Sequence, residues 1–373
     1  MNFETVDLLI KPTIGCNARC VYCHAIKPDE SAPVMSGDLL TGILTKYGEF
    51  TRQQGIDYAT IIWHGGEPLK AGAEFYRHVG SVVKEHLGHL NLMHQMFSNA
   101  CLYKGGVREA IRELLTGRSI SVSFDPFHPT RLHTNGTSNF VDSLRGMQQL
   151  IEDGFAVSLV YVVHGKSLER VRDLYYFFKN CGAASVSLFP ADFFDHPEYG
   201  LSVEDWADFL KEMWNVWEED DYAVGLSFFE HWLESLRSHR LPESCEYGIR
   251  ERSAPMVMIS PVGKIFTCHV FMDQGNNCLG DIRDMSFEEI LKHPLIHQIA
   301  ETKENMPDEC RTCTFLRICN TGCVAAHNET GRTVWCEGLK EFYAHMIERQ
   351  ERYFEMHPQG CCCGRGEEAH CPG

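Results

Sequence analysis

The chain has 373 residues, 44% of them hydrophobic, and a formal net charge of −17. That length supports one large core or a main domain with a satellite, and acidic residues spread through helical segments argue against a nucleic acid partner. No run approaches the roughly 18 uninterrupted apolar residues of a membrane span, and the opening MNFETVDLLIKP lacks a basic segment followed by an apolar one. The expectation is a cytoplasmic globular protein with no membrane partner. Its 17 cysteines, placed in a reducing compartment, point to metal or cluster ligation in preference to disulfides.

In chain order, short β-rich runs at Val6–Pro12, Tyr58–Trp63, Leu92–Ser98, Ser119–Phe124, Ala156–Val163 and Ser185–Phe189 alternate with helical patterns at Ser36–Gln54, Ala73–His86, Val107–Leu115, Asn139–Asp153 and Ser167–Cys181. This alternation predicts an α/β fold with a parallel sheet of right-handed βαβ units. Six strands are too few for a closed eightfold barrel, so a curved, partly open (β/α)6 TIM-like barrel is expected, with ligands where the βα loops gather. Beyond Leu201 come an acidic, Trp-rich helix at Val203–Glu219, a short run at Ala223–Phe229 and a helix through Arg240. From Cys245 secondary structure reads as sparse and cysteines as dense, so that segment is expected to fold around metal. A last helix, Glu337–Glu355, precedes a tail with Cys361, Cys362, Cys363, His370 and Cys371, expected to be disordered. The expected domains are 1–235, 236–357 and a cysteine-rich tail, 358–373.

The first strand runs into Cys16-Asn17-Ala18-Arg19-Cys20-Val21-Tyr22-Cys23. Cysteines spaced C-x3-C-x2-C on one loop can ligate three irons of a [4Fe–4S] cluster and leave the fourth open. A zinc loop would need a fourth protein ligand, and only His24 is adjacent. The second strand ends in Trp63-His64-Gly65-Gly66-Glu67-Pro68. With these motifs the sequence resembles the radical S-adenosylmethionine (SAM) superfamily. The resemblance implies that SAM binds the open iron, that Gly65, Gly66 and Glu67 hold its amino group, and that Tyr22 lies near the adenine. Ser98, Asn99, Ser123 and Asp125 resemble strand ends that contact ribose or carboxylate. Arg131 stands where related members pair an arginine with the SAM carboxylate, a bidentate task suited to guanidinium; the plain alternative is a solvated loop arginine. The implied chemistry is reductive cleavage of SAM to a 5′-deoxyadenosyl radical that removes a hydrogen atom from substrate.

Cys310-x2-Cys313-x5-Cys319-x3-Cys323, followed by Cys336 and preceded by Cys245 and Gly263-x4-Cys268, resembles the SPASM extension of peptide maturases. The resemblance implies two auxiliary [4Fe–4S] clusters. Cys310, Cys313, Cys319 and Cys336 would hold the second, while Cys245, Cys268 and Cys323 would contribute to the first. Between Cys245 and Gly263 the pattern lacks a cysteine, with Ser253 near its position, so the first cluster is left with an open iron or a ligand such as Cys278 or a tail residue. Cys101 and Cys181 read as small buried hydrophobes.

The layout is most similar to anaerobic sulfatase-maturating enzymes and to peptide cyclases that make thioether or cyclophane links. Where the maturases carry a base aspartate in Y-F-D-G, this chain reads Ser227-Phe228-Phe229-Glu230-His231. Glu230 is thus the candidate catalytic base, a carboxylate whose pKa an apolar pocket would raise; otherwise it is a surface glutamate starting a helix. The replacement of Asp-Gly by Glu-His turns the expectation toward a maturase that oxidises or cross-links a ribosomally made peptide. Formylglycine formation on a sulfatase is the alternative, and a non-catalytic iron–sulfur electron-transfer protein is a third reading. The implied partners are a precursor peptide or protein and a reductant such as flavodoxin or ferredoxin. No leader-binding extension is expected, since the catalytic strand begins by residue 6.

Overall fold

Asp7–Ile10 forms β1, and its Leu-Leu-Ile run is wholly buried, as a strand inside a parallel sheet requires. In this computed structural model the described residues are 5–23, 32–115, 119–191, 199–239, 256–273, 275 and 277–358. Two units share the chain: Met1–Val160 with Glu251–Glu301, and Tyr161–Arg250 with Thr302–Gly373.

After β1 come α1 (Gly37–Gln54), β2 (Tyr58–Trp63), α2 (Gly72–His86), β3 (Asn91–Ser98), α3 (Gly105–Leu115), β4 (Ser119–Ser123), α4 (Phe140–Glu152) and β5 (Ala156–Val163). The second unit then contributes α5 (Val171–Asn180), β6 (Ser185–Pro190), α6 (Val203–Glu219) and α7 (Ser227–Ser238). The chain returns to the first unit with β7 (Met256–Ile259), β8 (Lys264–Phe266), α8 (His269–Asp273), β9 (Cys278–Asp281), α9 (Phe287–Leu291) and most of α10 (Pro294–Glu304). It ends in the second unit with α11 (Asp308–Arg311), α12 (Leu316–Cys319) and α13 (Cys336–Met356).

The first unit is built on a sheet of order β5-β4-β3-β2-β1-β7-β8-β9. Strands β1 to β5 are parallel, with Leu8 opposite Ile61, Ile61 opposite His94, Met96 opposite Ile120 and Ser119 opposite Ala156. The βαβ alternation therefore does what the sequence predicts. Beyond it, Met256–Ile259, read from sequence as part of a region with little secondary structure, pairs in parallel with β1, Asp7 facing Met256. A four-residue apolar run carries no usable period of its own; only its partner strand identifies it. β8 and β9 follow antiparallel. Leu9, Met258, Phe266 and Met272 pack together, joined by Ile14, Ile62 and Met256.

Helix α1 starts at Ser36, whose side chain accepts the Leu39 N–H at 3.2 Å, the usual service of a serine N-cap. Its Tyr47 and Phe50 rings lie 5.3 and 5.6 Å from Phe287 of α9. The helix expected from Ser167 is split: Gly165–Arg170 is a 3-10 turn and α5 begins at Val171. The run from Ala223 is not a strand but leads into α7, after a single bridge from Val186 to Leu226.

The second unit has an aromatic core. Trp214 of α6 lies 5.4 Å from Phe229 of α7 and 6.1 Å from Phe342 of α13, and Trp217 lies 5.4 Å from Tyr353. Truncating one such buried ring costs about 3–5 kcal/mol. No helix among the described residues is long and apolar enough to cross a membrane.

Candidate functional site

The loop after β1 is held by its neighbours in the first unit. The Arg19 and Val21 amides donate to the Leu132 and Thr130 carbonyls at 2.6 and 2.9 Å. Cys16, Cys20 and Cys23 sit on the resulting arch, where the Ala18 N–H donates to Cys16 Sγ at 3.3 Å. Burial, and next the Glu67 carboxylate, push the Cys16 thiol up to about 12, so it keeps its proton until a metal displaces it.

β2 ends against this arch. A Cβ on Gly65, at φ +137°, would lie 2.3 Å from the Thr13 carbonyl oxygen, and one on Gly66 2.3 Å from that of Ile14, so only glycine permits the approach. The Gly66 and Glu67 amides donate to the Thr13 and Gly15 carbonyls at 3.1 and 3.0 Å. Glu67 is 1% exposed. Its Oε1 accepts the Leu69 N–H at 3.0 Å and the Ser98 hydroxyl at 2.8 Å, and its Oε2 accepts the Asn99 N–H at 2.7 Å. Burial raises its pKa against the lowering effect of these bonds.

Ser98 and Asn99 thus serve Glu67 directly, and the Asn99 amide reaches on to Asn17 Oδ1 at 2.8 Å, tying the end of β3 to the cysteine arch. Asp125 accepts the Phe127 and His128 amides, both at 3.1 Å, and the Thr130 hydroxyl, so it shapes the loop that braces the arch. Ser123 is half-buried at the end of β4. Arg131 is buried, not a solvated loop residue. It donates through Nη1 to the Tyr22 hydroxyl, with its guanidinium 5.7 Å from the ring centroid. Its buried Nε has no hydrogen-bond partner among the described residues, an unmet donor that a carboxylate ligand would satisfy. The three thiols, the glycine cradle and this donor together fit an iron–sulfur cluster carrying an amino acid ligand.

The second unit holds another cysteine site. Cys310, Cys313, Cys319 and Cys336 line one pocket, together with Phe315 and Tyr343. Short helices deliver them: α11 carries Cys310, α12 ends at Cys319 where Asn320 turns left-handed, and α13 begins at Cys336. Burial, and then the neighbouring Cys336, push the Cys319 thiol up to about 12. Four convergent thiols of this kind fit a fully ligated cluster. Cys323 does not line this pocket; it precedes the 3-10 turn Val324–Ala326. Cys268 belongs to the first unit, where its sulfur accepts the Val270 N–H at 3.3 Å. Cys278 is exposed on β9 and Cys101 is buried beside Ser143. Cys245, Ser253 and the tail cysteines lie outside the described residues.

Glu230 occupies the first turn of α7 and is 8% exposed, so it is not a surface residue. The Trp232 ring on the same helix lies 3.9 Å from that of Phe228, tilted by 57°, and meets Tyr343 of the cysteine pocket edge-on at 5.0 Å. The sequence reading missed two cations of this unit, Lys303 and Arg332. Arg332 carries a faint signal, four residues before Cys336; Lys303 carries none.

Residues 10–178 match the family model of the Radical SAM superfamily, and residues 252–314 match SPASM, an iron–sulfur cluster-binding domain. The cysteine-type anaerobic sulfatase-maturating enzyme of Clostridium perfringens is 22% identical over 363 residues, covering 92% of this chain and 97% of its own. The serine-type enzyme of Bacteroides thetaiotaomicron is 23% identical, covering 91% and 89%. Among solved structures, native anSMEcpe with bound AdoMet superposes with a TM-score of 0.83 at 20% identity, covering 94% of this chain and 99% of the other. Streptococcus suis SuiB bound to S-adenosylmethionine gives 0.61 at 15% identity, covering 89% and 76%.

Proposed function

For this radical SAM enzyme with a SPASM iron–sulfur domain, we propose the oxidation of a cysteine or serine side chain in a protein substrate to formylglycine. The observation that carries the reading is the end-to-end likeness to cysteine-type and serine-type sulfatase-maturating enzymes. It favours this activity over the peptide cross-linking expected from the sequence. Cross-linking stays the second reading, supported by Glu230 standing where the resemblance expects aspartate.

SAM held at a cluster on Cys16, Cys20 and Cys23 would supply the radical chemistry that removes one hydrogen atom from the substrate Cβ. Cys16, Cys20 and Cys23 would hold three of that cluster's irons. Gly65, Gly66 and the fixed carboxylate of Glu67 would orient the SAM amino group, the unmet donor of Arg131 its carboxylate, and Tyr22 its adenine. Glu230 would accept the proton of the substrate thiol or hydroxyl as the carbon–sulfur or carbon–oxygen double bond forms. Cys310, Cys313, Cys319 and Cys336 would hold a site for the one electron that leaves with it. Serine then yields the aldehyde directly, while the thioaldehyde from cysteine takes up water and releases sulfide. The initial electron would come from a protein reductant of the flavodoxin or ferredoxin class.

The test incubates the reduced, reconstituted chain with SAM and a sulfatase-derived peptide bearing cysteine or serine. The expected products are 5′-deoxyadenosine and a peptide aldehyde trapped by a hydrazine, with sulfur lost from the cysteine peptide. A product lacking two hydrogens, retaining sulfur and refusing the hydrazine would support cross-linking instead. SAM cleavage on neither peptide would leave formylglycine formation without support.

A further inference from the structure

We propose that Arg332 sets the electron affinity of the site formed by Cys310, Cys313, Cys319 and Cys336, raising its reduction potential by donating to the Cys336 sulfur. The proposal rests on those four cysteines holding one cluster. Arg332 Nη2 lies 3.0 Å from Cys336 Sγ, and Arg332 lines the same pocket. The residue is placed in advance: its backbone N–H donates to Asn328 Oδ1 at 3.2 Å, and its carbonyl accepts the Asn328 N–H at 2.8 Å.

The charges around the pocket are not balanced by depth. Arg332 is paired through Nη1 with Glu309 at 2.8 Å and through Nη2 with Glu337. These carboxylates are 75% and 66% exposed, whereas the Arg332 side chain is 20% exposed. Water screens the two anions more than the cation, so the cation's field reaches the pocket with less loss. Lys340, another pocket residue, also pairs with Glu337, at 3.2 Å. Lys303 is fully buried just behind Cys319, donating to the Asn320 and Gly322 carbonyls at 2.7 and 2.8 Å. Reduction of a four-cysteine cluster by one electron adds one negative charge to a group that is already anionic. A half-buried cation that donates a hydrogen bond to a ligand sulfur stabilises the reduced form more than the oxidised form, and hydrogen bonds to sulfur are a recognised control on potential. Arg332 is therefore a positioning residue for electron flow: it makes this site a better acceptor for the electron released by substrate oxidation.

The experiment is a redox titration followed by electron paramagnetic resonance on the reconstituted full chain. Cys16→Ala, Cys20→Ala and Cys23→Ala are included to remove the SAM-binding cluster from the spectrum. Arg332→Met is expected to move one auxiliary midpoint to a more negative potential and leave the other in place, with Arg332→Lys recovering part of the shift. Unchanged midpoints at full iron content would overturn the proposal. If Arg332→Met loses iron, Arg332→Gln is titrated in its place, and iron loss there too would assign a structural role and overturn it. A wrong ligand assignment shows itself differently, as a Cys310→Ala variant with undiminished iron and both auxiliary signals intact.

Discussion

Two buried glutamates show how differently one residue type is used. Glu67 has both carboxylate oxygens occupied by donors from its own turn and from the end of β3, so it is fixed in place and holds shape. Glu230 is buried in the first turn of α7, where a carboxylate can serve as a base. Replacing Glu230 with Gln is expected to leave 5′-deoxyadenosine formation intact and to lower product yield by about 10²–10⁴-fold, the usual worth of a general base. Chromatography of the nucleoside and mass spectrometry of the peptide report the two separately; undiminished product would remove Glu230 from the reaction. Glu67 was readable from its Gly-Gly-Glu-Pro turn. That Ser98 and Asn99 are its partners was not, because they lie on the neighbouring strand, 31 and 32 residues away.

At the scale of elements, long amphipathic helices and β-rich runs were legible because their periods are local. The exceptions are short. α11 and α12 have four residues each, below the length at which a helix sustains itself. Between the larger elements, Asp153 after α4 accepts Arg108 Nε and Nη2 at 2.7 and 2.8 Å and the Tyr103 hydroxyl at 2.7 Å, joining α3 to α4. Asp153→Asn is expected to cost about 0.5–1.5 kcal/mol near neutral pH, as one partner of a part-buried network is lost. The Arg108 hydrogen bond leads the effects that hold the Asp153 pKa below its ordinary 3.8. Its contribution is therefore complete above that value and disappears as pH falls below it. Urea unfolding of both proteins across the acid range should show the gap closing; a gap constant with pH would contradict the charge-based account.

At the scale of the molecule, the first unit is built on a parallel sheet with flanking helices, whereas segment 308–336 of the second unit is made of short turns around four cysteines. Chelating the iron is expected to abolish hydrogen-exchange protection across 308–336 while β1 to β4 remain protected. Equal protection with and without iron would show that the turns fold unaided. By itself the sequence determined the βαβ order and the glycine turn, and it singled out Cys310, Cys313, Cys319 and Cys336, which the fold brings to one pocket; the βαβ order and the turn are set by residues near one another along the chain. Only the tertiary structure decided that Met256–Ile259 extends the sheet beside β1, that Arg131 is buried against Tyr22, and that Arg332 and Lys303 flank the second cysteine pocket. Those are contacts between segments whose local patterns are silent about each other, fixed by packing and by the need to pair every buried charge and donor.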